Sequence, residues 1–144
     1  MRKFEIVDGY IDINIPKRAT KDSAGYDIEA AIDTVIKPGE IVLVKTGIRV
    51  KMPKNEVVLM FPRSSLAIKK GLMMSNGVGV IDSDYYYADN KGHIMIPLYN
   101  FKSEEVLIKK HERIAQAIFT NYFKTTDEDQ NDTVRLGGFG SSGI

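Results

Sequence analysis

The sequence predicts an all-β fold, because short apolar segments rich in β-branched residues alternate with turn signals along the 144-residue chain. The apolar segments are Ile41–Val44, Ile48–Met52, Val57–Phe61, Ile94–Tyr99 and Ile114–Phe119. Clusters of proline, glycine and asparagine separate these segments at roughly the spacing of a sandwich or a barrel. From the length we expect one domain, with short strands that form such a sandwich or barrel.

Three further features complete the predicted architecture. Ser64–Gly71 is the only segment with a helical pattern, and it begins with a capping serine and ends at a glycine. Pro97 inside a strand pattern predicts an edge strand or a bulge. The polar stretch 124–134 predicts a solvated linker. The chain is therefore expected to comprise a β domain over 1–123, this linker, and a mobile C-terminal arm over 135–144.

Composition excludes several classes of function. The chain has 43% hydrophobic and 27% charged residues and a net charge of +1, so it lacks the basic excess that non-specific nucleic-acid binding requires. It has no cysteine, which excludes disulfides, thiolate nucleophiles and cysteine-based zinc sites. No segment approaches the ~18 apolar residues of a membrane span. We expect a soluble, cytoplasmic protein whose partners are neither nucleic acid nor membrane.

The segment Asn76–Tyr85 is the first candidate site. Asn76-Gly77 is a strong hairpin-turn signal, and the glycines at 77 and 79 allow the backbone to come close to a flat ligand. Asp82 follows the apolar residues of the second strand, and Tyr85 comes three residues later. The pattern is consistent with a backbone edge that binds a ring and a carboxylate beside it. A surface hairpin in which Asp82 and Asp84 form Asx turns is the alternative.

Four other segments carry polar groups in suggestive patterns: Ala24–Asp27, Pro62–Leu66, Arg113–Gln116 and Gly137–Gly143. The second places a guanidinium and two hydroxyls at the start of the short helix, which indicates an anion site or a plain serine cap. The last offers backbone amides and hydroxyls to phosphates, but it lacks the lysine of a Walker loop and is equally typical of a free tail. The two histidines have no partner at metal-ligand spacing and are expected to be incidental.

The order and spacing of these five segments resemble those of the homotrimeric dUTPases, over residues 24–143. The resemblance implies a distorted β jelly roll of the β-clip type, and hydrolysis of dUTP to dUMP and pyrophosphate. That activity keeps uracil out of DNA and supplies dUMP for dTMP synthesis. The resemblance also implies a homotrimer with shared active sites, and Mg2+ held by the substrate's phosphates and water without a direct protein ligand.

The resemblance assigns a role to each matching position of the hairpin. Asn76 and the backbone around Val80 and Ile81 are expected to bind uracil. Tyr85 is expected to lie against the deoxyribose and exclude a 2′-hydroxyl. Asp82 is expected to be the general base that activates the attacking water.

The other implied roles concern the phosphates and the arm. Arg63, Ser64 and Ser65 are expected at the α–β phosphates. Asp27 is expected to orient Arg63 or a metal-bound water. The remaining substrate-binding residues implied by the resemblance are Met95, Gln116, Arg135, Phe139, Gly140 and Ser141. Among these, Gln116 and Arg135 are assigned to phosphates, and Phe139 is assigned to cap the base.

Two departures and two alternatives accompany the resemblance. After Tyr85 many members read Arg-Gly-Glu, but here a longer loop runs through 86–92, and the spacing from Arg135 to Phe139 is one residue shorter than usual. The related dCTP deaminases have their acid–base glutamate where this chain has the segment 95–97, and proline cannot move a proton. A nucleotide-binding regulator without catalytic activity is the other alternative. Release of pyrophosphate, of ammonia, or of neither separates the three.

Overall fold

The structure is a computed structural model, and it describes residues 1–128 and 132–140. The described residues form strands β1 Lys3–Ile6, β2 Lys17–Arg18, β3 Tyr26–Glu29, β4 Thr34–Ile36, β5 Ile41–Lys45, β6 Ile48–Lys51, β7 Glu56–Pro62, β8 Leu72–Met74, β9 Gly79–Asp82, β10 Met95–Asn100, β11 Val106–Ile108 and β12 Arg113–Asn121. Two short helical turns interrupt them, a π-helical turn at Leu66–Lys70 and a 3-10 turn at Ser83–Tyr87. The predicted all-β class is confirmed.

The strands pair only in antiparallel fashion within four described sheets. The largest has the order β2-β3-β12-β7-β9, a second has the order β5-β10-β8, and two pairs are β1-β6 and β11-β4. This arrangement is jelly-roll-like, as expected. Over the described ranges the sheets do not close into a barrel.

The core consists of aliphatic side chains that the strands direct inward. The largest completely buried side chains include Ile28, Ile36, Met60, Leu72, Leu98, Ile108 and Ile114. Each such side chain contributes about 1.5–3 kcal/mol by leaving water. Alanines at 115 and 117 are also fully buried on β12, the central strand of the largest sheet. The largest sheet is therefore a rigid support for the residues at its two ends.

Two local predictions were wrong. Pro97 lies in β10, the central strand of its sheet, opposite Leu43 of β5 and not on an edge or at a bulge. β8 ends before it reaches Pro97, so no residue of β8 pairs with it. Beside Pro97, the Ser75 N–H donates a hydrogen bond to the Pro97 carbonyl at 3.0 Å. In the predicted helix, Ser65 occupies the N-cap but its side chain forms no capping hydrogen bond. Gly71 ends the turn at a φ of 68°, as predicted.

No helix in the described ranges has the length and hydrophobicity needed to cross a bilayer.

Candidate active site

A pocket of about 210 Å³ lies against the turn that joins β8 to β9. These two strands belong to different sheets and do not pair with each other, so the predicted β-hairpin is wrong and the segment is a turn between sheets. We keep the name hairpin for residues 76–85. Its lining includes Asn76, Val80, Ile81, Asp82, Tyr85 and Met95, together with Arg135 and Phe139 of the arm. β9 is the last strand of its sheet, so the backbone groups on one side of β9 have no strand partner among the described residues. The pocket therefore combines a free backbone edge, an amide side chain and a carboxylate. We call these hairpin residues the hairpin half-site.

Asp82 is the last residue of β9, and the 3-10 turn that follows it fixes the directions of Asp84 and Tyr85. The Asp82 side chain is 50% exposed and accepts a hydrogen bond from Nη2 of Arg135 at 2.6 Å. Nε of Arg135 donates to Asp84 at 2.7 Å. A carboxylate at the rim of a pocket is placed to accept a proton from water bound there.

Tyr85 is the most buried aromatic residue of the pocket, and both functions of its hydroxyl are satisfied. The hydroxyl donates to the carbonyl of His93 at 2.6 Å and accepts from Nδ2 of Asn90 at 2.7 Å. Burial raises the pKa of Tyr85, while the Asn90 hydrogen bond opposes that rise, so Tyr85 is neutral near pH 7. The ring is thereby held against the pocket wall.

The loop over residues 86–92 is where the sequence departs from the family pattern, and it has a structural role. Asn90 bonds Tyr85 and also accepts the backbone N–H of Gly92 through Oδ1, at 3.1 Å. Tyr86 donates to the carboxylate of Glu5, and the Arg49 guanidinium lies 4.3 Å from the centre of the Tyr86 ring. Sequence analysis missed Asn90, because nothing in the local pattern indicates its contact with the Tyr85 hydroxyl.

The arm crosses the mouth of the hairpin pocket. The carbonyl of Leu136 accepts the Asp89 N–H at 2.7 Å. The backbone of Gly138 lies so close to Tyr85 that an added Cβ would sit 2.7 Å from Cε1 of the ring. Phe139 lines the pocket with a φ of 53° and its side chain 61% exposed. Gly140, with a φ of 90°, does not line this pocket.

Ser141, predicted to bind substrate, lies outside the described residues. The resemblance implies that the arm closes a site on another chain, whereas residues 135–140 here lie on the hairpin of their own chain. A single chain can form these contacts only with its own hairpin. The same contacts are available to a neighbouring copy if the arm is exchanged between chains.

The other predicted residues come together at a second place, which we call the phosphate half-site: Asp27, Arg63, Ser64, Ser65 and Gln116. Gln116 lies on β12 directly between Asp27 of β3 and Phe61 of β7. Its Nε2 donates to the Pro62 carbonyl at 3.2 Å. A Cβ on Gly25 would lie 2.4 Å from Oε1 of Gln116, so the glycine makes room for this amide.

Cationic groups dominate the surface around the phosphate half-site. Asp27 lies 3.8 Å from Nε of Arg63 and 3.5 Å from Nη1 of Arg113, so one carboxylate orients two guanidinium groups. An open groove of about 370 Å³ runs beside it, lined in part by Arg63, Ser65, Lys69, Lys70 and Arg113. The π-helical turn here is too short to provide an N-terminal dipole site. The predicted anion site therefore depends on side chains.

The two half-sites of one chain are far apart. Asp82 pairs with Val57 near the start of β7, and Arg63 and Ser64 follow Pro62 at the other end of that strand. At ~3.3 Å per residue, five residues of β7 already separate them by about 16 Å. The structure thus gathers the predicted residues into two groups and does not bring those groups together.

Both histidines contact polar groups of their own chain. His93 is buried and accepts the Gly47 N–H through Nε2 at 2.9 Å, and burial lowers its pKa. His111 lies between Asp12 and Glu29, each 3.1 Å away, and these contacts raise its pKa, with the Asp12 hydrogen bond as the largest cause. Within the described ranges, no three acidic or histidine side chains form a cluster that could hold a metal ion.

Comparisons with known proteins identify the family of this chain. The dUTPase family profile matches residues 12–143. The deoxyuridine 5'-triphosphate nucleotidohydrolase of Lactococcus lactis subsp. lactis strain IL1403 is 50% identical, over 99% of this chain and 98% of that protein. The chain belongs to the dUTPase family. Its enzymatic activity is dUTP hydrolysis, as in the relatives that share its full length.

Solved structures agree with this assignment. The crystal structure of dUTPase from Streptococcus mutans has a TM-score of 0.84 and 42% identity, and the match covers 85% of this chain and 98% of that one. A point mutant of the dUTPase from phage phi11 of S. aureus, whose structure shows the coordination of a structural Mg(II) ion, shares the fold at a TM-score of 0.75 and 23% identity, over 92% of this chain and 97% of that one.

Proposed function

We propose that this enzyme hydrolyses dUTP to dUMP and pyrophosphate by attack of a water molecule on the α-phosphorus, with Asp82 as the general base. The hairpin pocket supports this proposal most strongly. It places a carboxylate at the rim of a cavity whose other walls suit a pyrimidine ring and a sugar. The carboxylate takes the proton of the water as the bond to phosphorus forms, and the α–β bridging oxygen leaves with pyrophosphate.

Uracil selection follows from the polar edge of the pocket. Asn76 and the free backbone edge of β9 present donors and acceptors in a fixed order. Cytosine reverses the donor and acceptor on its matching edge, and each group left unpaired in the pocket costs about 1–3 kcal/mol. The methyl group of thymine would have to be forced against the walls of the pocket, which include Met95. Tyr85, held by Asn90 and His93, is the proposed barrier to a 2′-hydroxyl.

The separation of the half-sites supports active sites shared between chains. Within one chain, Ser64 and Gln116 are separated from Asp82 by most of the length of β7, a span on the order of 16 Å. At that distance they cannot bind the phosphates of a substrate whose α-phosphorus is attacked by a water molecule beside Asp82. A second copy must bring its phosphate half-site to the first copy's hairpin. We propose a homotrimer in which each site combines the two half-sites in this way.

The linker allows the arm to come from yet another chain. It has eleven residues, 124–134, and fully extended it spans about 36–40 Å at ~3.3–3.6 Å per residue. That reach is sufficient to cross a domain of this size. The hairpin contacts of Arg135, Leu136 and Gly138 then serve a neighbouring hairpin in the same geometry.

Mg2+ is the proposed cofactor. The donor set fits an ion held chiefly by the substrate, because Mg2+ keeps several waters and binds phosphates with few protein carboxylates. When bound, it neutralises charge on the phosphates during the reaction. Asp27 is a partly buried carboxylate of the phosphate half-site, and it lies 3.8 Å from Nε of Arg63 in this chain. We place the reaction in the cytoplasm, where it limits dUTP and supplies dUMP for dTMP synthesis.

Substitution of Asp82 tests the proposal. Asp82→Asn keeps the shape of the side chain but cannot accept the water's proton, so kcat should fall by about 10²–10⁴-fold. The Kd for dUTP should stay within about tenfold, the scale of one altered polar contact. Pyrophosphate release and calorimetric titration measure the two quantities. A variant that keeps more than a few per cent of the wild-type kcat would exclude Asp82 as the base. Tight dUTP binding without product from the wild type would instead indicate the binding-only alternative.

A further inference from the structure

Arg135 lies between two carboxylates of the hairpin turn. Its Nη2 donates to Asp82 at 2.6 Å, its Nε donates to Asp84 at 2.7 Å, and its Nη1 donates to the Gly137 carbonyl at 3.1 Å. All three nitrogens of the guanidinium are therefore engaged within the chain. These contacts tie the first residue of the arm to the turn that bears the proposed base.

The burial of the three side chains is unequal. Arg135 is only 18% exposed, whereas Asp82 is 50% and Asp84 55% exposed. A guanidinium withdrawn from water depends on charged partners more than the half-exposed carboxylates do. Contact with Asp84, more than with Asp82, raises the pKa of Arg135. Asp84 is thus a strong partner of Arg135, and the Nε contact at 2.7 Å is the side-chain contact that the described part of the chain shows for Asp84.

The contact with Asp82 cannot persist unchanged during the reaction. Nη2 of Arg135 donates a hydrogen bond to Oδ2 of Asp82, the carboxylate that is proposed to accept a proton from water. The same arginine is proposed to bind the terminal phosphates of the substrate. Those phosphates are negatively charged and would come close to the two carboxylates that now share the Arg135 guanidinium. Arg135 therefore has to release one carboxylate when substrate binds, and it has to stay at the site while it does so.

We propose that Asp84 is a positioning residue that keeps Nε of Arg135 at the hairpin while Nη2 passes from Asp82 to a terminal phosphate of the substrate. This inference rests on the proposed function, in which Asp82 is the base and Arg135 a phosphate ligand. Before substrate binds, Arg135 bridges both carboxylates and holds the arm in place. After the transfer, Oδ2 of Asp82 faces the attacking water and the arm remains docked through Asp84.

The arrangement does not depend on which chain supplies the arm. Asp82 and Asp84 belong to one turn, and Arg135 meets both of them at once. An arm exchanged from a neighbouring chain presents the same guanidinium to the same two carboxylates.

Asp84→Asn keeps the size of the side chain and removes its charge. We expect the KM for dUTP to rise about tenfold, the scale of one lost charge-assisted hydrogen bond, with kcat within about threefold of wild type. Asp84→Glu retains the carboxylate and should restore most of the affinity. Asp89→Asn is the matched control, since Asp89 contacts the arm through its backbone N–H and that N–H is retained. It should behave as wild type.

A double-mutant cycle separates positioning from a general structural effect. If Asp84 acts through Arg135, Asp84→Asn should change KM by less than about twofold in an Arg135→Gln background. If Asp84 merely stabilises the turn, it should cost the same factor in both backgrounds. Additive effects, or an unchanged KM in the single variant with a retained melting temperature, would overturn the proposal.

Limited trypsin digestion gives a readout that needs no turnover. Without nucleotide, cleavage after Arg135 should be faster in Asp84→Asn than in the wild type and in Asp89→Asn, because the buried guanidinium loses a partner. Equal cleavage rates would overturn the docking role of Asp84. Since this assay is independent of pyrophosphate release, failure of the inference and failure of the proposed function can be told apart.

Discussion

The hairpin half-site and the phosphate half-site lie on the same five-stranded sheet, yet they are built in different ways. The hairpin half-site is a pocket in which the buried Tyr85 has its hydroxyl bonded within the chain, while the outer backbone edge of β9 has no strand partner among the described residues. The phosphate half-site is an open surface where cationic side chains face solvent beside one carboxylate. In the function proposed above, the hairpin half-site binds the base and the sugar, and the phosphate half-site provides one side of a site that a second chain completes.

The sheet explains why the half-sites do not meet. β7 pairs with β9 near Asp82 and with β12 near Gln116, so it acts as a rigid spacer between them. A loop could fold back and close such a gap, whereas a strand in the middle of a sheet cannot bend without losing its pairing. This rigidity is the reason for our proposal that assembly, and not flexibility, joins base recognition to phosphate chemistry.

Removing the aromatic wall should break the sugar selection of the hairpin half-site. Tyr85→Ala should raise the ratio of kcat/KM for UTP to that for dUTP by about 10–100-fold, as expected when a close pocket contact is lost. Tyr85→Phe keeps the ring and should keep the ratio, although the loss of its two hydrogen bonds should lower stability. Steady-state kinetics on both nucleotides measure the effect. An unchanged ratio in Tyr85→Ala would assign sugar discrimination to another residue.

A methyl group at Gly138 should separate the arm from the hairpin while leaving both half-sites intact. The added Cβ would lie 2.7 Å from the Tyr85 ring, so the arm must move away. We expect kcat/KM for dUTP to fall about tenfold. Gly140→Ala is a useful comparison, because a Cβ there meets no atom within 4 Å, although its φ of 90° also strains the chain. Wild-type kinetics in Gly138→Ala would contradict close docking of the arm on Tyr85.

The smallest predicted effect concerns His111, which lies beside the phosphate half-site. Asp12 and Glu29 raise its pKa above the unfolded value of about 6.5, so its stabilising contribution is complete below that pH and is lost as pH rises through the folded pKa. His111→Asn, which tolerates the φ of 70° at this position, should lower the melting temperature by a few degrees below about pH 6. The difference should disappear near pH 9, where both proteins lack the charge. Thermal denaturation at the two pH values measures this difference. Equal shifts of the melting temperature at both would contradict the assignment.

The sequence predicted the parts of the molecule that local chemistry determines. The Asn76-Gly77 turn, the apolar strands and the glycine at the end of the short helical turn are all found where their residue types indicate. The serine cap was wrong because the turn contains only five residues and is π-helical, so the chain there does not form an ordinary helix start. Pro97 was placed on an edge because proline removes a donor, but β8 ends before that position and no strand bond is lost on that side.

Contacts between distant segments could not be predicted in this way. The bond from Asn90 to Tyr85 and the close approach of Gly138 to the same ring depend on how two loops meet. The pairing of Arg135 with Asp82 and Asp84 joins residues more than fifty positions apart. The family pattern named the residues of both half-sites, but only the register of β7 with β9 shows that they lie at opposite ends of a strand.

Complementation between inactive variants tests the sharing of sites most directly. One variant, Asp82→Asn, lacks the base, and the other, Ser64→Ala combined with Gln116→Ala, lacks phosphate contacts. If each site joins the hairpin of one chain to the phosphate half-site of the next, random mixing by co-refolding should restore about a quarter of the wild-type pyrophosphate release, since one site in four receives both intact halves. Mixed oligomers confirmed by native mass spectrometry, with activity no greater than the sum of the two parents, would contradict the sharing of sites between chains.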